Sequence, residues 1–277
     1  MSVDQRSAPP TAPGRRPRKP PPTPFAVGGT VLLVAVTLAA GWDWTYGIAF
    51  SLTEIFENFT NVNPAYEGLL NIDLERFRSE TVRAGFAETF QMATIATMLG
   101  AVVGLPLALF NSVTGAPNRT VYLLVKNVNS VIRAIPDLVY AVFFVAAIGR
   151  GTLPGVLALF FLSIAVIAKL TSDTVDGIDQ GPIESARASG ASHLQMVRTA
   201  VLPQVLPNYV SFTLYTFEIN LRGSAVLGFV GAGGIGEPLN NYYQRGQYDR
   251  MWGVVLGFFL VVFVVDRLSI ALRKRLL

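Results

Sequence analysis

Cysteine is absent from this 277-residue chain, and histidine occurs once, as His193. Without a thiol there is no disulfide scaffold, thiolate metal site, iron–sulfur cluster or cysteine nucleophile, and thiol usage carries no signal of redox compartment. A single histidine excludes His-cluster metal sites and leaves no Ser/His/Asp set to assemble, so an intramembrane enzyme lacks its catalytic constellation. His193 is instead read as a surface residue of a loop. No Gly-x4-Gly-Lys-[Ser/Thr] phosphate loop occurs either. Charge is scarce as well: 14% of residues are charged against 51% hydrophobic, with a mean hydropathy of +0.45. That composition describes an integral membrane protein rather than a soluble domain. The formal charge of +4 does not point to nucleic acid, because the basic residues sit at chain ends and between apolar runs.

What is present is a series of long apolar runs. Residues 1–24 hold eight of the seventeen prolines together with Arg15, Arg16, Arg18 and Lys19, which reads as a disordered basic cytoplasmic tail and not as a cleaved signal peptide. Residues 25–84 then supply a first membrane span, 25–42, and an outer segment. Phe50, Ile55, Phe56 and Phe59 recur there at helical spacing, which fits an interfacial helix or packing on neighbouring spans equally. Residues 85–277 form the main transmembrane domain, with runs at 85–110, 121–148, 153–172, 207–232 and 251–271. Six spans place both termini on one side. Helices are required because the runs lack the short alternating pattern of barrel strands. With the N-terminus inside, eleven Lys and Arg fall on inner segments and six on outer ones. Trp42, Trp44, Tyr46, Tyr242, Tyr243 and Trp252 then form an outer aromatic belt.

The inner segment 173–207 is polar and longer than the other inner loops. Gly181-Pro182 can begin a short helix, Gly190 can end it in a left-handed conformation, Ser192 can cap a second, and Leu202-Pro203 is expected to stop that one. A helix-turn-helix that projects from a membrane protein suggests a soluble partner that docks on it.

Glu184-Ser185-Ala186, three residues, Gly190, nine residues, then Ala200 and Leu202-Pro203 resembles the EAA loop of ABC importer permeases. Ser185 and Ala200 depart from that pattern. The resemblance implies an ATPase-coupling loop of Glu184, Ser185, Ala186, Gly190, Leu202 and Pro203, whose coupling helix fits a groove on an ATPase subunit, with Glu184 making a polar contact and Gly190 permitting the bend. It narrows through Arg133-Ala-Ile-Pro-Asp137, Gly181-Pro-Ile-Glu184, Val201-Leu-Pro-Gln-Val-Leu-Pro207, Glu218-Ile-Asn-Leu-Arg222 and Val226–Gly236, which are similar to the phosphonate ABC transporter permease. The similarity covers the chain from about Gly85 onward. It implies an all-α, MetI-like type I importer fold in a bacterial cytoplasmic membrane. The expected partners are a second copy of the chain, two cytoplasmic ATPases that bind ATP and magnesium, and one extracytoplasmic binding protein. No cofactor is expected in this chain. The cargo would be a phosphonate, phosphite or phosphate; a permease for methionine or another small polar solute is the alternative, and a secondary transporter the alternative of another class. The latter would show repeats and broken midplane helices.

Gly231-Ala-Gly-Gly-Ile-Gly236 matches the dinucleotide fingerprint literally, but that fingerprint needs a strand-to-helix turn, and these glycines end an apolar helix. Close packing or an outer turn is expected instead, as is helix packing for Gly100 and Gly104. Ionisable residues inside spans cost about 2.5–3.5 kcal/mol each, which makes them functional candidates. Arg133, Asp137, Glu218, Asn220 and Arg222 are assigned to the translocation pathway, with Arg133 and Arg222 as the anion contacts. Glu218 and Arg222 are four apart and can equally form an internal pair. Lys126 and Lys169 are expected to snorkel to the inner surface.

Overall fold

The computed structural model describes residues 24–41, 63–73, 75 and 79–276. Residues 1–23 of the basic tail, the aromatics Trp42, Trp44 and Tyr46, and the Phe50–Phe59 stripe lie outside the described residues. The chain divides into two units, Met1–Asn61 and Val62–Leu277. In the first, α1 (Pro24–Gly41) is an uncharged apolar helix with Pro24 at its first position, where a missing N–H costs nothing. Its side chains from Val31 to Leu38 are exposed, and Thr37 satisfies its hydroxyl on the Leu33 carbonyl at 2.8 Å.

The second unit is helical throughout its described length. It comprises α2 (Asn63–Leu70), α3 (Glu80–Phe110), α4 (Arg119–Ala134), α5 (Asp137–Ile148), α6 (Thr152–Asp176), α7 (Gly181–Ala188), α8 (His193–Met196), α9 (Leu202–Leu227), α10 (Gly236–Gln244) and α11 (Tyr248–Leu276). The six expected runs fall on α1, α3, the pair α4 and α5, α6, α9 and α11, the run at 207–232 extending past the end of α9 at Leu227. Three of them, α3, α6 and α11, are long and apolar enough to cross a membrane. The run at 121–148 is two helices bent by 82°, and α4 and α5 together make a fourth candidate span. Pro136 causes the break: it has no N–H to donate, and it holds the preceding Ile135 extended at ψ 122°. α9 is 26 residues long, but its polar side chains keep it below the hydropathy of a simple lipid-facing span.

The centre of the unit is the α3–α6 seam. Small residues allow the two backbones to meet: a Cβ on Gly100 would strike Ser163, and one on Gly104 would lie 3.0 Å from the Ile167 side chain. Without a strong hydrophobic driving force between helices in lipid, such close approach supplies the van der Waals contact that holds them. Met92, Ala96, Leu159, Leu227 and Ala232 continue this core toward the end where α6 begins. There, Trp252 of α11 donates to the Ala65 carbonyl at 2.9 Å, tying α2 against α11.

Candidate functional site

The segment between α6 and α9 folds as two short helices. Pro182 sits in the first turn of α7, Gly190 ends it at φ 80°, and Ser192 caps α8 in a reciprocal box with Gln195. Ile183, Met196, Val197, Ala200 and Val201 are buried in a small core with Val175 and Val205, which fixes the projection to the membrane helices. Pro203 differs from its expected role. It does not stop α8; a π-helical turn over Val197–Val201 carries the chain directly into α9, and Pro203 lies in the first turn of that helix. The wider turn accommodates a proline whose ring would clash with an ordinary preceding turn.

The residues that the EAA-like spacing singles out divide into two kinds, exposed and packed. Glu184 and Ser185 are exposed, and the Glu184 side chain has no partner among the described residues. Ala186 packs on the buried cluster and its carbonyl accepts from Ala191 at 3.0 Å, closing the bend at Gly190. Leu202 also packs on that cluster, whereas Leu194 stands 77% exposed at the tip. The projection is strapped sideways to the α3–α4 loop. Asp176 accepts from the backbone N–H groups of Val113 (2.8 Å) and Thr114 (3.2 Å), and the His193 ring is 2.9 Å from the Gly115 carbonyl. His193 therefore joins two loops, a role not expected of it.

Beside this strap, α4 and the end of α6 enclose a polar cleft of about 90 Å³. Arg133, Lys126 and Asn129 line it from α4, and Lys169, Ser172 and Asp173 from α6. Lys169 pairs with Asp173 at 2.5 Å, Lys126 donates to the Tyr122 hydroxyl at 2.7 Å, and Asn111 donates to Ser172 at 2.9 Å. Lys126 and Lys169 thus share a cleft with Arg133. Asp137 opens α5 just beyond the bend and accepts from the Leu138 N–H at 2.9 Å. Its carboxylate faces Gly223 of α9.

Glu218, Asn220 and Arg222 have three different surroundings. Asn220 is fully buried and donates to Thr97 (2.8 Å) on α3 and Ser163 (2.6 Å) on α6, joining three helices. Glu218 is 4% exposed, and its nearest charge is not Arg222 but Arg273 of α11, whose Nη2 lies 2.6 Å from Oε1. Arg222 is looser: Nη2 is 3.6 Å from Glu218 Oε2 and 4.0 Å from Asp266, with the side chain 54% exposed. Arg133 and Arg222 occupy separate places, one in the cleft and one in this ionic group. Sequence spacing reveals the Glu218–Arg222 pair because it lies within one helix; Arg273 is 55 positions away and only helix packing brings it near.

At the opposite end, Gly231–Gly236 forms a tight turn. Gly233 has φ 80° and presses on Thr152, and Gly236 packs against the Ala225 carbonyl so closely that no side chain fits. The Ile235 N–H donates to Thr89 at 2.8 Å and that of Gly234 to Glu88 at 3.1 Å. These backbone donors are spent on α3, and no strand precedes the turn among the described residues. The dinucleotide resemblance is therefore one of letters only.

Residues 97–277 match the family described as binding-protein-dependent transport system inner membrane component. The chain is 35% identical over 243 residues to the phosphate-import permease protein PhnE of Mycolicibacterium smegmatis. That alignment covers 87% of this chain and 44% of the relative, so the chain spans less than half of that permease. It is also 32% identical over 248 residues to the phosphite transport system permease protein PtxC of Stutzerimonas stutzeri, covering 90% of this chain and 88% of the relative. Among solved structures, an inward-facing MetNI methionine ABC transporter superposes with a TM-score of 0.61 at 26% identity, over 72% of this chain and 99% of the other. With a family match over residues 97–277 and a relative of similar length aligned almost end to end, this chain belongs to the binding-protein-dependent transport system inner membrane components.

Proposed function

We propose that the chain is the channel-forming permease subunit of an ATP-driven importer for a phosphorus oxyanion: phosphonate, phosphite or phosphate. The relatives named for phosphate and phosphite import support that cargo class. The single observation that carries the mechanism is the exposed Glu184 on α7. It is held outward by a helix pair whose buried residues are all used to anchor it. A partner surface completes such a projection. In this reading, a separate cytoplasmic ATPase binds ATP and magnesium and receives α7 and α8 through Glu184, Ser185 and Ala186, while Gly190, Leu202 and Pro203 shape their support. The α7–α8 end and both termini then face the cytoplasm.

The assembly has two copies of this chain, two ATPases and one binding protein on the far side. Domain closure of the ATPases moves α7 and α8. The strap through Asp176 and His193 passes that motion to the α3–α4 loop, and hence to the cleft that holds Arg133. Arg133 and Arg222 provide positive potential without a tight bidentate trap, as a pathway for a released anion requires. Uptake of labelled phosphate by cells with and without the gene, competed by methylphosphonate and by phosphite, tests the cargo. Gene-dependent uptake that a phosphorus oxyanion blocks is expected. Uptake of phosphate, and of labelled methylphosphonate and phosphite measured in the same way, unaffected by loss of the gene would contradict the assignment and favour a small polar solute such as methionine.

A further inference from the structure

We propose that one face of α4 is an anion track, with Arg133, Lys126 and Arg119 as successive weak sites that lead an oxyanion from the helix bend to the cytoplasmic mouth. This rests on the oxyanion-import reading above and adds two residues to it, Lys126 and Arg119. The three cations are seven residues apart, so they share one helix face at intervals of about 10.5 Å. No Asp or Glu occurs anywhere in Arg119–Ala134 to neutralise them. The opposite face is apolar, with Leu124, Val128 and Val131 exposed, so the helix separates its surfaces cleanly.

The acids that face the stripe come from α6: Asp173 and Asp176 line the same cleft, where Lys126, Arg133 and Lys169 outnumber them three to two. Asp173 is held by Lys169 at 2.5 Å, and Asp176 accepts two backbone N–H groups from Val113 and Thr114. Lys126 donates only to a neutral phenol, and Arg133 has no ion-pair or hydrogen-bond partner among the described residues. A guanidinium at the bend of a membrane helix, left without a carboxylate, needs water or an anion beside it. Between the two cations, Asn129 is buried with its Oδ1 unpartnered, so the wall of the cleft also holds an unsatisfied amide. Sites about 10.5 Å apart cannot chelate one small oxyanion together; each attracts it weakly and passes it on, which is the condition for conduction rather than storage.

The absence of native cysteine makes the test direct. Ser130→Cys, which places a thiol in the cleft, is introduced into the assembled importer in inside-out membranes. Its reaction with anionic sulfonatoethyl methanethiosulfonate is compared with that of the cationic trimethylammonium-ethyl reagent, each normalised to its rate with a small free thiol. The anionic reagent should react several-fold faster. Phosphate should slow it, Lys126→Gln should abolish most of the preference, and Lys126→Arg should retain it. Leu124→Cys on the apolar face should show no such charge preference. No reaction of Ser130→Cys with either reagent, equal normalised rates, or a preference that Lys126→Gln leaves intact would overturn the proposal. The cargo assignment fails separately: an anionic preference at Ser130→Cys with no phosphorus-oxyanion uptake would keep the track and reject that cargo.

Discussion

Two groups of polar side chains lie within the helical body, and they are built in opposite ways. Asn220, Thr97 and Ser163 are neutral and buried, and each hydroxyl both accepts from Asn220 and donates to its own helix, Thr97 to Ala93 at 2.6 Å and Ser163 to Leu159 at 2.7 Å. The α4 face is cationic, and its cleft holds Lys126, Arg133 and Lys169 against Asp173 and Asp176. Asn220 keeps an unpartnered Oδ1, as Asn129 does, so what separates the two groups is charge: neutral side chains join helices in one, and an excess of cations faces a cleft in the other. Arg222 shows how one residue can stand between the two cases: Arg273 neutralises the buried Glu218, so Arg222 is left half exposed with only long contacts.

Substitutions that exchange the two behaviours test this division. The largest effect should come from the buried seam. Gly100→Leu drives a side chain into Ser163 and should cost about 3 kcal/mol or more, seen as loss of monodisperse subunit after extraction in detergent. Normal yield would mean that α3 and α6 are free to separate. Next is Arg273→Ala, which strands Glu218 without its close partner at a cost of about 3–5 kcal/mol. Thermal unfolding of the purified subunit should register that loss, and adding Glu218→Gln should recover much of it. Arg222→Ala should act differently, lowering oxyanion uptake several-fold while the unfolding midpoint stays near wild type, because Glu218 keeps Arg273. Loss of folded protein in that variant would assign Arg222 to structure. The smallest effect is expected for His193→Ala, which removes one hydrogen bond worth about 1 kcal/mol. Its assembly should be normal and its uptake per ATP hydrolysed modestly reduced; unchanged stoichiometry would remove His193 from the strap.

The helix-turn-helix at 181–201 was legible in the sequence because its determinants are local: proline in a first turn, a glycine that tolerates positive φ, and a capping serine followed by glutamine. The packing glycines Gly100 and Gly104 were legible for the same reason. Pro203 was misjudged because a π turn, which cannot be read from residue type, changes what a proline does to the helix before it. The bend at Pro136 carried its own signal, yet the apolar residues interspersed through α4 and those of α5 read together as one continuous run. Contacts between helices were out of reach. Nothing local pairs Glu218 with Arg273 or His193 with Gly115, and those pairs exist only because the packed helices bring distant turns together. Of the α4 cations, Arg133 was legible as a charge inside an apolar run, whereas Lys126 was read as snorkelling to the inner surface, and only the packing of α4 on α6 puts both in one cleft.

In the proposed assembly α7 and α8 transmit the work of a separate ATPase to this subunit, and Glu184→Lys should break that link. The variant is expected to insert and dimerise normally, to lose co-purification of the ATPase, and to lose labelled oxyanion uptake. A Glu184→Lys subunit that retains its ATPase and transports at the wild-type rate would contradict that link.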